Sequence, residues 1–171
     1  SSVTVSTAGS LGIYTAGVRI SSWSAISYSS VTVGNAHGFW LDGSTRTQIS
    51  YSTAVNNEGT TEYPIYLLNS DTNTFTNIYA KNNNAAGTAL FVGDSDSNTV
   101  TRSYLEADDI GYSIDATSEF NILSYSTAIA RGADWGGYFN QSADSNTITY
   151  SYLQGDFAIN FNINCNYNTI S

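Results

Sequence analysis

One eight-residue motif occurs twice, almost unchanged, and it limits what this chain can fold into. It reads NTVTRSYL at residues 98–105 and NTITYSYL at residues 146–153. Weaker copies run along the whole chain, each centred on one apolar anchor: Val3, Ile26, Ile49, Phe75, Val100, Leu123, Ile148 and Ile170. Neighbouring anchors lie 22 to 26 residues apart. A recurring period of this size predicts a stacked repeat architecture.

Each repeat has room for three short strands and shows no helical pattern. In the repeat anchored on Val100, one strand surrounds the anchor, a second surrounds Leu105 and a third covers residues 111–114. β-Branched residues and tyrosine dominate the composition, which favours strands. Three strands per repeat can form one coil whose strands pair in parallel with those of the next coil. We therefore predict an all-β parallel β-helix, a single domain over residues 1–171 with about seven coils.

Two columns of polar residues emerge when the repeats are stacked. Two residues before the anchors stand Asn73, Asn98, Asn121, Asn146 and Asn168. Three residues after the anchors stand Ser29, Ser52, Ser103, Ser126 and Ser151, with Ile78 interrupting the column. Side chains repeated at one turn position can hydrogen-bond from coil to coil and satisfy buried polar groups. We predict a structural asparagine ladder and a structural serine ladder.

The spacing of asparagine, aliphatic anchor and serine, together with the turn ladders, resembles the right-handed parallel β-helix repeats of the pectin-lyase-like superfamily. The resemblance covers the whole chain, and it implies the right-handed sense of the helix. It is specific for architecture and broad for function. The superfamily includes polysaccharide lyases and hydrolases, phage tailspikes, adhesins and proteins with no known catalysis.

Charge and composition restrict the partners that we expect. The net charge is −9 and the five basic residues are scattered, so we expect neither nucleic acid nor an anionic membrane as a partner. No apolar run approaches the ~20 residues of a membrane-spanning helix, and we expect no membrane insertion. The single cysteine, Cys165, excludes an internal disulfide. The low lysine content and the abundance of Ser, Thr, Asn and Tyr are typical of an extracellular or cell-surface protein.

Four acidic residues recur four positions before successive anchors: Asp71, Asp96, Glu119 and Asp144. Stacked carboxylates about 5 Å apart repel each other unless something compensates their charge. One hypothesis is a Ca²⁺ site, because calcium prefers oxygen ligands. The alternative is that each carboxylate accepts a backbone N–H group in its own turn.

The only adjacent acid pair is Asp108 and Asp109, in a loop between the second and third strands. The pair superficially resembles the paired aspartates of galacturonan hydrolases, which makes both residues candidate catalytic groups. The glycine, histidine, arginine and lysine patterns that accompany the pair in those enzymes are absent. The sole histidine, His37, lies about three coils away, and a lyase base would have to be Arg102 or Arg131.

Three repeats carry extra residues after the second strand, at residues 55–63, 81–87 and 129–137. Insertions stacked on one side of a solenoid usually form its binding face. Aromatic side chains with polar neighbours can stack on sugar rings. The candidate carbohydrate-binding residues are Tyr63, Arg131, Asp134 and Trp135. The alternative is that these loops vary because nothing constrains them.

Outward threonines flank several anchors, as in Thr74/Thr76, Thr99/Thr101 and Thr147/Thr149. Regular threonine rows on a flat solenoid face resemble those of β-helical ice-binding proteins, although Gln48 and Ile122 interrupt these rows. The alternative explanation is the β-propensity of threonine.

Both ends of the sequence stand directly on the repeat motif, and no helix or charged coil covers them. Because an open coil exposes unpaired strand edges, we predict either a fragment of a longer β-helix or copies that pair end to end into a filament. The first functional hypothesis is a structural extracellular solenoid, as a fibre subunit or the shaft of an adhesin. The alternatives are a polysaccharide-active enzyme or tailspike-like carbohydrate-binding fragment, and an ice-binding protein.

Overall fold

The computed structural model describes residues 4–7, 16–58, 62–132 and 134–171, and their strands form three parallel sheets. The A sheet contains β1 (Thr4–Thr7), β4 (Ser30–Val33), β7 (Thr53–Asn56), β10 (Tyr79–Asn82), β13 (Tyr104–Ala107), β16 (Thr127–Ala130) and β19 (Tyr152–Gln154). The B sheet contains β2 (Ala16–Ile20), β5 (His37–Asp42), β8 (Ile65–Leu68), β11 (Thr88–Gly93), β14 (Ile110–Asp115), β17 (Trp135–Phe139) and β20 (Phe157–Phe161). The C sheet contains β3 (Ala25–Ser27), β6 (Gln48–Ser50), β9 (Thr74–Thr76), β12 (Thr99–Thr101), β15 (Ile122–Ser124), β18 (Thr147–Thr149) and β21 (Thr169–Ile170).

The C sheet stacks the anchors of the sequence repeat in register. Val100 pairs with Phe75 on one side and with Leu123 on the other, and both neighbours are fully buried. The same register continues through the described anchors from Ile26 to Ile170. The predicted all-β parallel solenoid with three strands per coil is therefore confirmed. The anchor Val3 lies outside the described residues.

The interior is one continuous column of apolar side chains. The B sheet supplies most of the large ones, including Phe39, Leu90 and Phe139, while the A sheet supplies small ones such as Ala54 and Ala128. This difference in size lets the three sheets meet around a core that is dense and narrow. No helix long and apolar enough to cross a membrane occurs in the part of the chain that the structure describes.

The asparagine ladder is present, and it connects side chains to the backbone as well as to each other. The Oδ1 atom of Asn98 accepts hydrogen bonds from the backbone N–H (2.9 Å) and the Nδ2 group (3.1 Å) of Asn73. Its Nδ2 group donates to the Ser70 carbonyl oxygen at 2.8 Å and to Asn121 Oδ1 at 3.1 Å. The ladder thus joins successive coils and satisfies polar groups that have no access to water.

Two serine ladders, not one, run along the solenoid. The predicted ladder lies between the C and A sheets, where the backbone N–H of Ser103 donates to Ser126 Oγ at 3.0 Å. A second ladder lies between the B and C sheets, where the N–H of Ser70 donates to Ser95 Oγ at 2.9 Å. Cys165 occupies the corresponding turn position in the last coil, and its thiol lies 3.6 Å from the Ile163 carbonyl oxygen.

Candidate functional site

The outer face of the B sheet carries a row of side chains that do not belong to the core cluster. Alternate residues of each strand point inward, which places the intervening residue on the outside. The outward positions pair from coil to coil in the order Arg19, Trp40, Tyr66, Phe91, Ser113, Tyr138 and Asn160. Four of these seven positions are aromatic. We call this surface, together with the loops between the A and B sheets, the aromatic face.

Five rings form a continuous cluster at one part of the aromatic face: His37, Trp40, Tyr63, Tyr66 and Phe91. His37 stacks on Tyr66 with their ring centroids 4.4 Å apart, and Tyr63 stacks on Phe91 at 4.9 Å. The guanidinium of Arg19 extends the cluster, because it lies 4.9 Å from the centre of the Trp40 ring. The rings are therefore held by each other and by the strand register.

His37 fixes the loop that brings Tyr63 to the face. Its Nδ1 atom accepts a hydrogen bond from the Tyr63 backbone N–H at 3.0 Å. Burial lowers the pKa of His37 to about 4, against a smaller opposing effect of Glu62. Burial also raises the pKa of Tyr63 to about 12, helped by nearby negative groups. At neutral pH both side chains are uncharged, and they present polar atoms on an aromatic surface.

A second aromatic group lies farther along the same face. Trp135 stacks on Tyr138 with the ring centroids 4.8 Å apart, and it pairs with Phe157 in the next strand. Trp135, Phe157, Ile159 and Asn160 line an open cleft of about 300 Å³. The carbohydrate-binding candidates Tyr63 and Trp135 thus lie on the same face but in separate aromatic groups.

Two buried asparagines hold the long loops beside this face, and the sequence analysis did not identify them. Asn56 Nδ2 donates to the carbonyl oxygens of Ala36 (3.0 Å) and Glu62 (3.2 Å). Asn82 Nδ2 donates to the carbonyl oxygens of Glu62 (2.9 Å) and Thr88 (3.1 Å). These bonds connect three successive coils. The signal in the sequence was an asparagine at the end of two of the three A strands that precede an inserted loop.

Arg131 is engaged in a buried ion cluster. The side chain of Glu106 is 5% exposed, and its Oε1 atom contacts the guanidinium of Arg131 and lies 3.4 Å from Lys81 Nζ. Tyr104 donates a hydrogen bond to Glu106 Oε2 at 3.1 Å. The predicted role of Arg131 in carbohydrate binding remains a prediction, but the structure shows it compensating a buried carboxylate.

Asp109 pairs with Asp134 across two neighbouring loops. Burial is the largest cause that raises the pKa of Asp109 to about 7, followed by a hydrogen bond to Asp134 and by the charge of that carboxylate. Two carboxyl groups in contact retain a proton between them, because both cannot ionise at low cost. The backbone carbonyl oxygen of Asp108 instead accepts the Gly132 N–H at 2.7 Å. The catalytic role proposed for Asp108 and Asp109 remains a prediction.

The acidic column on the opposite turn binds backbone groups. Asp71 Oδ1 accepts the N–H of Asp96 at 2.8 Å, and Asp96 Oδ1 accepts the N–H of Glu119 at 2.7 Å. Asp144 does the same for Asn166. Each of these three aspartates therefore caps the following coil and not its own turn. No group of three or more His, Cys, Asp and Glu side chains suited to a metal ion occurs among the described residues. The Ca²⁺ site remains a prediction.

The threonine rows form the outer surface of the C sheet. Thr99 pairs with Thr74, and Thr101 pairs with Thr76, while Ile122 follows Thr99 in the next coil. Hydroxyl groups of neighbouring coils bond to one another, as Ser124 does to Thr101 at 3.1 Å. Ice binding by these rows remains a prediction.

The chain matches no protein-family model, no curated protein and no solved structure. The geometry of the described residues is therefore the basis for a functional proposal.

Proposed function

We propose that this protein is an extracellular β-solenoid that binds a polysaccharide along its aromatic face. The observation that carries the proposal is the row of outward rings on the B sheet, in which Tyr66, Phe91 and Tyr138 are half-buried at equivalent strand positions and Trp40 is buried beside them. An extended ligand with a regular repeat fits a surface whose own features repeat at ~4.8 Å from strand to strand.

The chemistry of the face suits sugar rings. A pyranose ring has apolar C–H faces and a hydroxyl rim, so it stacks on an aromatic ring while its hydroxyls meet polar neighbours. Tyr63 and Tyr138 each carry a hydroxyl group, and Asn162 Nδ2 donates to the Tyr138 hydroxyl at 3.0 Å. Tyrosine and tryptophan supply a large contact area together with a polar atom.

The face is rigid before any ligand arrives. His37 holds the Tyr63 loop, and Asn56 and Asn82 hold the loops around it. A surface whose rings are already positioned loses little conformational entropy on binding, which favours affinity.

Membership of the pectin-lyase-like superfamily and the right-handed sense of the solenoid belong to this proposal. The three-sheet cross-section and the asparagine and serine ladders support them. The extracellular location is supported by the composition, in which only 11% of residues are charged.

The test compares aromatic variants on and off the face. Trp135→Ala is matched with Trp23→Ala, and Tyr138→Ala with Tyr150→Ala, because Trp23 and Tyr150 are exposed residues of other turns. Binding to a panel of soluble polysaccharides is measured by isothermal titration calorimetry, and folding by circular dichroism. We expect each face variant to lower affinity about ten-fold, since a stacked ring contributes roughly 1.5 kcal/mol. Equal losses in both members of each pair, or no binding by the wild type, would contradict the proposal.

A structural shaft is the second candidate, and the continuity of the ladders favours it. Hydrogen bonds such as Ser44 N–H to Ser70 Oγ (3.0 Å) and Ser95 N–H to Ser118 Oγ (3.1 Å) join successive coils along the long axis. Negative-stain electron microscopy with light scattering on the same sample tests end-to-end assembly. Uniform fibres would support the shaft, and a monodisperse monomer would count against spontaneous assembly.

A further inference from the structure

Carboxylates border the aromatic face along both edges. Asp134 and Asp156 directly precede the first residues of β17 and β20, which places them in consecutive coils at one edge. Asp109, which precedes β14, retains a proton against Asp134 and is not counted among the negative charges. At the other edge β5 ends at Asp42, β14 ends at Asp115, and Asp94 directly follows β11. Asp42 and Asp115 are in register, because the ends of β5, β8, β11 and β14 pair from coil to coil, and Asp94 lies one residue beyond the paired Gly93.

The basic residues of the chain offset only part of these charges. Arg19, at the outward position of β2, forms an ion pair with Asp42 at 2.8 Å. Lys81 and Arg131 both contact Glu106. The remaining two of the five basic residues lie in turns away from the face: Arg46, whose guanidinium covers the Trp23 ring at 4.5 Å, and Arg102, between β12 and β13.

His37 adds no positive charge to the face at neutral pH. Burial lowers its pKa to about 4, so the imidazole is uncharged at neutral pH. The aromatic face is consequently an apolar strip between two negative edges. Such a surface attracts cationic ligands and repels anionic ones.

We infer that the polysaccharide bound by the aromatic face is a polymer of amino sugars, whose protonated amines meet the aspartates while the sugar rings stack on the aromatic rings. The inference rests on the proposed polysaccharide binding. An ammonium group close to a tryptophan or tyrosine ring also gains cation–π attraction. A polyuronate would bring its carboxylates against Asp115 and Asp156, while Arg19 and Arg131, the cations beside the face, already pair with Asp42 and Glu106.

The test measures binding of three soluble oligosaccharides to the full chain: a glucosamine hexamer, an N-acetylglucosamine hexamer and an oligogalacturonate. Titrations are done at about pH 5.5, where the glucosamine amines are protonated. We expect the glucosamine hexamer to bind at least ten-fold more tightly than the other two. Raising the salt concentration from about 50 to about 500 mM should weaken its binding several-fold, because salt screens exposed charges.

Charge variants show which carboxylates contribute to glucosamine-hexamer binding. Asp94 and Asp156 are exposed and lie at opposite edges of the face. Asp94→Asn and Asp156→Asn should each weaken glucosamine-hexamer binding about two- to three-fold, the amount typical of one screened charge pair. Glu119→Gln removes one charge from the turn between the B and C sheets and should leave binding unchanged. Equal effects of Glu119→Gln and Asp156→Asn would overturn the inference.

Polylysine separates recognition of an amino sugar from general attraction to an acidic protein. Trp135→Ala should weaken binding of the glucosamine hexamer about ten-fold and leave polylysine binding unchanged. If Trp135→Ala affects neither ligand, the inference is overturned. Tighter binding of the N-acetylated hexamer or the galacturonate overturns the inference while the proposed polysaccharide binding stands. Failure of every sugar to bind overturns both.

Discussion

Replacing Asn98 with alanine should remove much of the stability of the solenoid. Asn98 is buried, and its side chain takes part in four hydrogen bonds of 2.8 to 3.1 Å. Two of its partners keep another bond, because Asn73 Nδ2 also donates to the Ser44 carbonyl oxygen and Asn121 Oδ1 also accepts the Asn98 backbone N–H. The Asn73 N–H and the Ser70 carbonyl oxygen lose these side-chain partners in the interior.

The expected loss of unfolding free energy comes from these two unpaired backbone groups. A buried backbone donor or acceptor left without its partner costs about 1–3 kcal/mol, so the pair costs about 4 kcal/mol. With a urea dependence of roughly 2 kcal/mol/M, the midpoint of urea unfolding should fall by about 2 M. The measurement is urea unfolding followed by circular dichroism.

The matched control is Asn168→Ala, at the same ladder position in the last coil. Asn168 is half-buried, and water can replace its bonds to the Asn146 N–H and the Ala143 carbonyl oxygen, both 2.8 Å long. We expect a loss of about 1 kcal/mol there, typical of a partly solvated hydrogen bond. Equal midpoint shifts for the two variants would refute the argument that burial of the ladder determines its contribution.

Three further changes test other parts of the structure. Tyr112→Phe should raise the unfolding free energy by about 1 kcal/mol, because the buried Tyr112 hydroxyl has no hydrogen-bond partner among the described residues; destabilisation in urea unfolding would contradict this. Gly111→Ala should lower the unfolding free energy by about 3 kcal/mol or more, because a Cβ atom would lie 2.7 Å from the Ile129 backbone nitrogen. Gly43 has φ of 64° and open space around it, so Gly43→Ala should lower the unfolding free energy by only about 1 kcal/mol. Similar melting temperatures of the two variants would contradict this difference. The pKa of Asp109 is raised to about 7 in the folded state, so the protonated carboxyl stabilises the fold. The unfolding free energy should therefore be highest below pH about 4 and should fall as pH rises through about 7. After solvent screening, the expected fall is about 1 kcal/mol. Asp109→Asn should remove that dependence, and an unchanged pH profile of unfolding would contradict the pairing.

Part of the ladder structure could be predicted from the sequence. Asn73 to Asn168 and Ser103 to Ser151 share one offset from the anchors, so their columns were visible in the sequence. The second serine ladder, with Ser44, Ser70 and Ser95, stands on a different turn and was not identified. Its members also share one offset, five residues before the anchors Ile49, Phe75 and Val100, so this column too could have been predicted from the sequence.

The arrangement of the candidate site could be predicted from the sequence less well than the ladders, because it depends on tertiary structure. Asp109 and Asp134 were each singled out in the sequence, but their pairing was not foreseen because the two loops differ in length. The aromatic cluster joins strand residues with the loop residue Tyr63, and that loop reaches the face through bonds from His37 and Asn56.

The sequence alone determined the parallel solenoid, its three strands per coil and the stacking of its anchors, because a period of 22 to 26 residues leaves each coil one partner on either side. Only the tertiary structure decided which surface carries the rings, which carboxylates meet and which cations are already paired. These depend on distances between loops and strand faces of neighbouring coils, and side-chain order along the chain does not contain those distances.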